Sequence, residues 1–146
     1  MKTWLWIFTL TNLLFLAGCA SSTAFKQGKK FDRSRDFDQA MQYYKQAYDS
    51  DPSNFEYRMN YERARFQAAI AHLDQARKLK ATGQLEPALQ EFQRAFELDP
   101  SSSLAEQEIR DTRKLMETLK EQKTTDEKLL LEMMEIPDFQ WVPEHG

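Results

Sequence analysis

Phe37-Asp38-Gln39-Ala40-Met41-Gln42-Tyr43-Tyr44-Lys45-Gln46-Ala47-Tyr48 and Leu85-Glu86-Pro87-Ala88-Leu89-Gln90-Glu91-Phe92-Gln93-Arg94-Ala95-Phe96 are the two stretches that decide the fold. Set one above the other, their apolar positions coincide: 37, 40, 41, 44, 47 and 48 against 85, 88, 89, 92, 95 and 96. Steps of three and four residues gather those side chains on one face of an α-helix and leave the polar ones opposite. Both stretches run into Asp-Pro, at Asp51-Pro52 and Asp99-Pro100. Proline disfavours helical geometry in the residue before it, so both helices are predicted to stop at the same point of the copied unit. Restart signals follow. Ser53 to Glu56 and Ser103 to Glu106 both fit a capping box, in which serine and glutamate satisfy free amides of a new helix. Asp36 to Gln39 offers a comparable start for the first stretch, and Pro87 falls in the first turn of the second, where its missing N–H costs little. With four glycines, five prolines and few β-branched residues, no sheet is expected.

Small alanines alternate with aromatics ahead of each Asp-Pro, a pattern that lets helix backbones approach while Tyr44, Tyr48, Phe92 and Phe96 fill the space between turns. This resembles the tetratricopeptide repeat (TPR), a helical pair of about 34 residues. In the first copy Gly28, Phe31, Ala40, Tyr44, Ala47 and Pro52 match the family pattern; in the second, Ala76, Leu79, Gly83, Ala88, Phe92, Ala95 and Pro100 do. Gln27 and Gln75 depart from it at a site usually leucine, and Arg35 replaces the turn glycine that Gly83 supplies. The copies lie 48 residues apart, and the extra fourteen are expected to lengthen a helix from about Phe55 to Ala81. The resemblance covers roughly Ala24 to Lys120. It implies an all-α, TPR-like helical repeat stack of about five to six helices.

That long helix carries a broad apolar side, Phe55, Met59, Phe66, Ala69, Ile70, Leu73 and Ala76, read as core packed on both neighbours. A further helix from Leu104 sets Ala105, Ile109, Met116 and Leu119 on one side, suited to cover the second repeat. After Glu121 to Thr125, the cluster Leu129, Leu130, Leu131, Met133, Met134 and Ile136 reads as a separate short helix, and Pro137 to Gly146 has no period.

The N-terminus reads differently. Behind Lys2, the uncharged stretch Trp4 to Ala17 has fourteen residues, short of the roughly 20 of a spanning helix and of a length suited to a cleaved signal. Leu16-Ala17-Gly18-Cys19 closes it and resembles the lipobox of bacterial lipoproteins, which implies lipidation of Cys19 after cleavage. An ordinary signal cleaved after Ala17 or Gly18 is the alternative. Cys19 is the only cysteine, so it has no internal disulfide partner. Ala20 after it leans, by the same resemblance, towards the outer membrane facing the periplasm. The organisation expected is signal peptide 1–18, lipidated tether 19–23, repeat domain 24–122, and an acidic C-terminal helix and tail 123–146.

The full chain has 20 basic and 23 acidic side chains; losing residues 1–18 removes only Lys2 and leaves 19 against 23, net −4. That balance leaves no footprint for nucleic acid. His72 and His145 have no Cys or His at ligand spacing, so neither metal nor cofactor is expected. Serines 21, 22, 101, 102 and 103 belong to tether or caps, no phosphate loop occurs, and no enzyme is expected. A repeat stack without catalytic groups binds proteins or peptides. The family's carboxylate clamp is not reproduced, since its positions carry Phe25 and Lys29, then Leu73 and Arg77. Arg58, Arg63, Arg65, Arg77 and Lys78 of the basic long helix are the candidate partner-binding edge. Two functions fit: a membrane-anchored, non-catalytic scaffold binding envelope proteins such as secretion or pilus components, or the N-terminal portion of a secretin-type outer-membrane channel subunit, which lipobox-plus-repeat chains also resemble.

Overall fold

The computed structural model describes residues 21–134, which form five helices: α1 over residues 21–33, α2 Phe37–Ser50, α3 Phe55–Ala81, α4 Leu85–Leu98 and α5 Ser103–Met134. They build the expected all-α, TPR-like stack. Residues 21–23, read as tether, already belong to α1, and Ser21 is buried. No glycine or proline lies between Ala20 and Gln27 to delay the helix.

The turns repeat almost atom for atom. Ser53 Oγ donates to Asp51 at 2.7 Å, and Ser101 Oγ donates to Asp99 at 2.6 Å. The first bond occupies Ser53, the expected cap of α3, and both caps sit one residue from their expected places. Asn54 caps α3, its Oδ1 accepting from the amides of Glu56 and Tyr57 at 3.0 and 3.3 Å. Ser102, not Ser103, caps α5 by accepting from the Ala105 amide at 3.2 Å. Asp36 caps α2 as expected, accepting from the Gln39 amide at 3.1 Å.

α3 is the axis of the molecule. It has 27 residues and α2 and α4 have 14 each, so α3 is about 40 Å long and the other two about 21 Å each. Both run antiparallel to α3 and lie nearly end to end along it. Tyr48 of α2 stacks on Tyr61, while Phe37 and Met41 reach Ala68 and Ala69, where Leu98 of α4 also arrives. The first core contains Ala24, Phe25, Ala40, Tyr44, Ala47 and Ala64; the second contains Ala76, Ala88, Phe92 and Ile109. α1 and α2 approach closely at Gly28, where a Cβ would stand 2.6 Å from the Tyr44 ring.

Two expectations fail. α5 is continuous over 32 residues, without a break at 121–125. Thr124 and Thr125 return their hydroxyls to the Glu121 carbonyl at 2.8 and 2.9 Å, and no proline or glycine interrupts the run. The broad apolar side of α3 is also not core throughout: Phe55, Met59, Phe66 and Ile70 are exposed, while Ala64, Ala68, Ala69 and Ala76 are buried. Close helix approach selects small side chains, and the bulky ones face away.

Arg35 has φ 60° and Gly83, its counterpart 48 residues on, has φ 78°. Left-handed backbone is costly for a residue with a Cβ and nearly free for glycine. Arg35→Gly is expected to stabilise the fold by about 0.5–1 kcal/mol. Gly83→Ala should destabilise it by about 1 kcal/mol through backbone strain, because nothing lies within 4 Å of the added Cβ. Denaturant unfolding of both variants measures the pair.

Candidate partner-binding surface

α3 meets α2 and α4 through Ala64, Ala68, Ala69 and Ala76 and turns a stripe of larger apolar side chains to solvent. Phe55 is 72% exposed, and Met59 and Phe66 are 52% exposed each. With Ile70 and half-buried Leu73 they follow helical spacing, and from 55 to 73 the stripe runs about 27 Å. Its lower end opens into a cleft of about 140 Å³ between Phe66, Ile70 and Leu73 on one wall and Ala95, Asp99 and Ala105 on the other. An elongated apolar strip with a cleft at one end suits an amphipathic helix or an extended peptide.

The five candidate basic residues do not form one edge. At about 100° per residue, Arg58 and Arg65 share one side of α3, whereas Arg63 and Arg77 share another. Lys78 stands apart. Arg63 pairs with Asp32 of α1, and Arg65 pairs with Glu62 at 2.7 Å. Arg77 reaches Glu108 of α5 at 3.4 Å, where Lys80 also arrives at 2.9 Å. Arg58 and Lys78 are exposed. Arg63 and Arg77 therefore border the apolar stripe while tying α1 and α5 to α3. Partial burial of Glu108 works to raise its pKa, but hydrogen bonds and charge from Lys80 and Arg77 outweigh it and hold the carboxyl below its ordinary value. Leu16, Ala17, Gly18 and Cys19 lie outside the described residues.

Two polar arrangements were not readable from the sequence. The His72 ring lies between Glu91 of α4, 2.6 Å from Nδ1, and Asp38 of α2, 3.2 Å from Nε2. It joins the two shorter helices where they meet along α3. Tyr44, wholly buried, donates its hydroxyl to Asp32 at 3.2 Å, and Arg63 binds the same carboxylate oxygen. Burial first, then the Asp32 charge, push the Tyr44 phenol up to about 12. Neither contact has a sequence signal, because the partners lie 12 to 34 positions apart. Among the described residues, no group of three His, Cys, Asp or Glu is placed to hold a metal ion, and no helix is long and apolar enough to cross a membrane.

The profile described as tetratricopeptide repeat matches residues 24–54, spanning α1 and α2. This is a TPR-containing helical protein. Among solved structures, the first TPR domain of the human RPAP3 protein, determined by NMR, is similar at 20% identity, with 68% of this chain and 94% of that chain covered and a TM-score of 0.34. No curated protein matches significantly. α3 with α4 makes a second, TPR-like unit with its own equivalences: Ala76 beside Phe92 stands where Gly28 meets Tyr44.

Because the Tyr44 phenol titrates above its ordinary value of 10.0, the neutral form favours folding. That stability is full below the ordinary value and is lost as pH rises towards about 12. Tyr44→Phe, which mimics Phe92 of the second unit, is expected to cost about 1 kcal/mol at neutral pH and to move the alkaline unfolding midpoint upward. Circular dichroism against pH for the two chains measures both effects.

Proposed function

We propose that this chain is a lipid-anchored TPR protein of the bacterial cell envelope, which acts without catalysis by holding a partner protein beside the membrane. The exposed strip on α3 carries the proposal. Apolar side chains over about 27 Å of one helix are a binding surface by construction, and burying them contributes about 25 cal/mol per Å² of apolar area. The lipobox-like Leu16 to Cys19 supports the anchor. The helix already formed at residue 21 supports a domain held close to that anchor. Ala20 supports the outer membrane as the site, facing the periplasm. Arg63 and Arg77 flank the strip already paired with Asp32 and Glu108, so the apolar side chains supply the affinity and this charged border adds selectivity. Components of secretion or pilus machinery are the partners this location favours.

The anchor and the surface are tested separately. Intact mass of the membrane-extracted protein should show a chain beginning at Cys19 with added acyl mass, and Cys19→Ala should abolish processing. A wild-type mass without acyl groups would remove the anchor. For the surface, a photo-crosslinker at Met59 should trap one discrete envelope protein in cells. Phe66→Ser with Ile70→Ser should abolish that adduct while changing stability by less than about 1 kcal/mol, since both side chains are exposed. An adduct that survives the double substitution would remove the strip from the mechanism.

A further inference from the structure

Among the described residues, nothing packs on the second half of α5. Ile109 and Thr112 are buried against the rest of the fold, Met116 is half-buried, and every residue from 117 to 134 is exposed. A helix projecting by about 27 Å beyond its packing on the other described helices is marginal in water, because most helical stability comes from packing one apolar face. Such a face is present. The seam that begins with Ile109, Thr112 and Met116 continues at alternating steps of three and four through Leu119, Lys123, Asp126, Leu130 and Met133. This is heptad spacing, and from Met116 to Met133 the seam is apolar but for one charged pair at its middle.

We propose that the projecting half of α5 is a homodimerisation surface, pairing antiparallel with α5 of a second copy. The charged pair selects this partner and this orientation. In an antiparallel register centred between Thr124 and Thr125, Met116 meets the partner's Met133, Leu119 meets the partner's Leu130, and Lys123 meets the partner's Asp126. The two-fold axis repeats each contact, so both central layers are paired charges. On the flank, Lys120 faces the partner's Glu127. A parallel pair would instead set Lys123 against the partner's Lys123, and Asp126 against the partner's Asp126. Like charges in a seam are strongly unfavourable, so the parallel form is excluded. The antiparallel register also brings the partner's Met133 and Met134 to an open groove of about 740 Å³ lined by Gly83, Leu85, Met116 and Leu119, with Arg113 and Lys120 at its border. This surface is distinct from the strip on α3, and its occupation does not depend on the anchor.

Sedimentation equilibrium of the full chain in density-matched detergent tests the pairing. The wild type should show a reversible monomer–dimer equilibrium. Lys123→Glu and Asp126→Lys should each weaken it by at least about tenfold. The combined Lys123→Glu/Asp126→Lys chain should recover to within about threefold of wild type, since the swapped charges again meet opposite signs. Thermal unfolding of the repeat core, residues 21–116, should match in all four chains. Any association driven by residues 1–18 is common to all four, so only the differences report on α5. A wild type that stays monomeric overturns the proposal, as does association that survives both single reversals. A double variant as weak as the singles overturns the antiparallel register.

Discussion

The molecule depends on how closely α3 approaches its neighbours. Ala64, Ala68, Ala69 and Ala76 on α3 face a side of α2 and α4 that carries Ala40, Ala47, Ala88 and Ala95, and all eight are buried. Helices that meet through alanine approach to the short end of the usual 8–10 Å interaxial range, roughly 8 Å. At that separation no large side chain fits on the axis of contact, and the aromatics must enter from the sides. Tyr44 and Phe92 do so, one in each unit, both wholly buried. Around the first of them Phe25 packs with ring centroids 5.4 Å from Tyr44 and 4.7 Å from Tyr57. The alanine seam sets the spacing and the rings fill what remains.

The same seam produces the candidate binding strip. A helix with alanine on its buried side and Phe55, Met59, Phe66 and Ile70 on its exposed side has its apolar volume reversed with respect to an ordinary surface helix. The core is satisfied by small residues, so the larger ones are left available for another molecule. Polar contacts then stiffen the scaffold behind the strip: Asp32 with Arg63 ties α1 to α3, Glu108 with Lys80 and Arg77 ties α5 to it, and His72 bridges α2 and α4. A surface held from behind in this way meets a partner with little ordering left to do.

Much of the fold was legible in the sequence because it is written in local signals. The bounds of α3, the Asp-Pro stops and the match between the two copies all follow from spacing and turn chemistry over a few residues. The α3 cap falls on Asn54 because Ser53 has a competing local acceptor in Asp51, and the α5 cap falls on Ser102, one residue before the expected Ser103. The strip was misread for a deeper reason. Periodicity puts Ala69 and Ala76 on one side of α3 with Phe55, Met59, Phe66 and Ile70, but does not show which part of that side turns inward, and hydrophobicity alone favours the larger residues. The scattering of the basic residues was legible in principle from angle, yet their employment by Asp32 and Glu108 needed the tertiary fold. At α5 the polar stretch 121–125 looks like a boundary, although Glu121, Gln122 and Lys123 favour helix and the Thr124 and Thr125 hydroxyls bond back to the Glu121 carbonyl.

The length of α3 also sets a phase between the two units. Fourteen extra residues make about 3.9 turns, so the second unit is displaced by about 21 Å along α3 yet rotated by only about 40° about it. An insertion of twelve or sixteen residues would have turned the second unit by about 120° or 160°, splitting the apolar strip between opposite sides of the rod. Helical repeat proteins are usually lengthened by adding whole units. Here the spacing is changed inside a shared helix, and only lengths close to a whole number of turns keep one continuous surface.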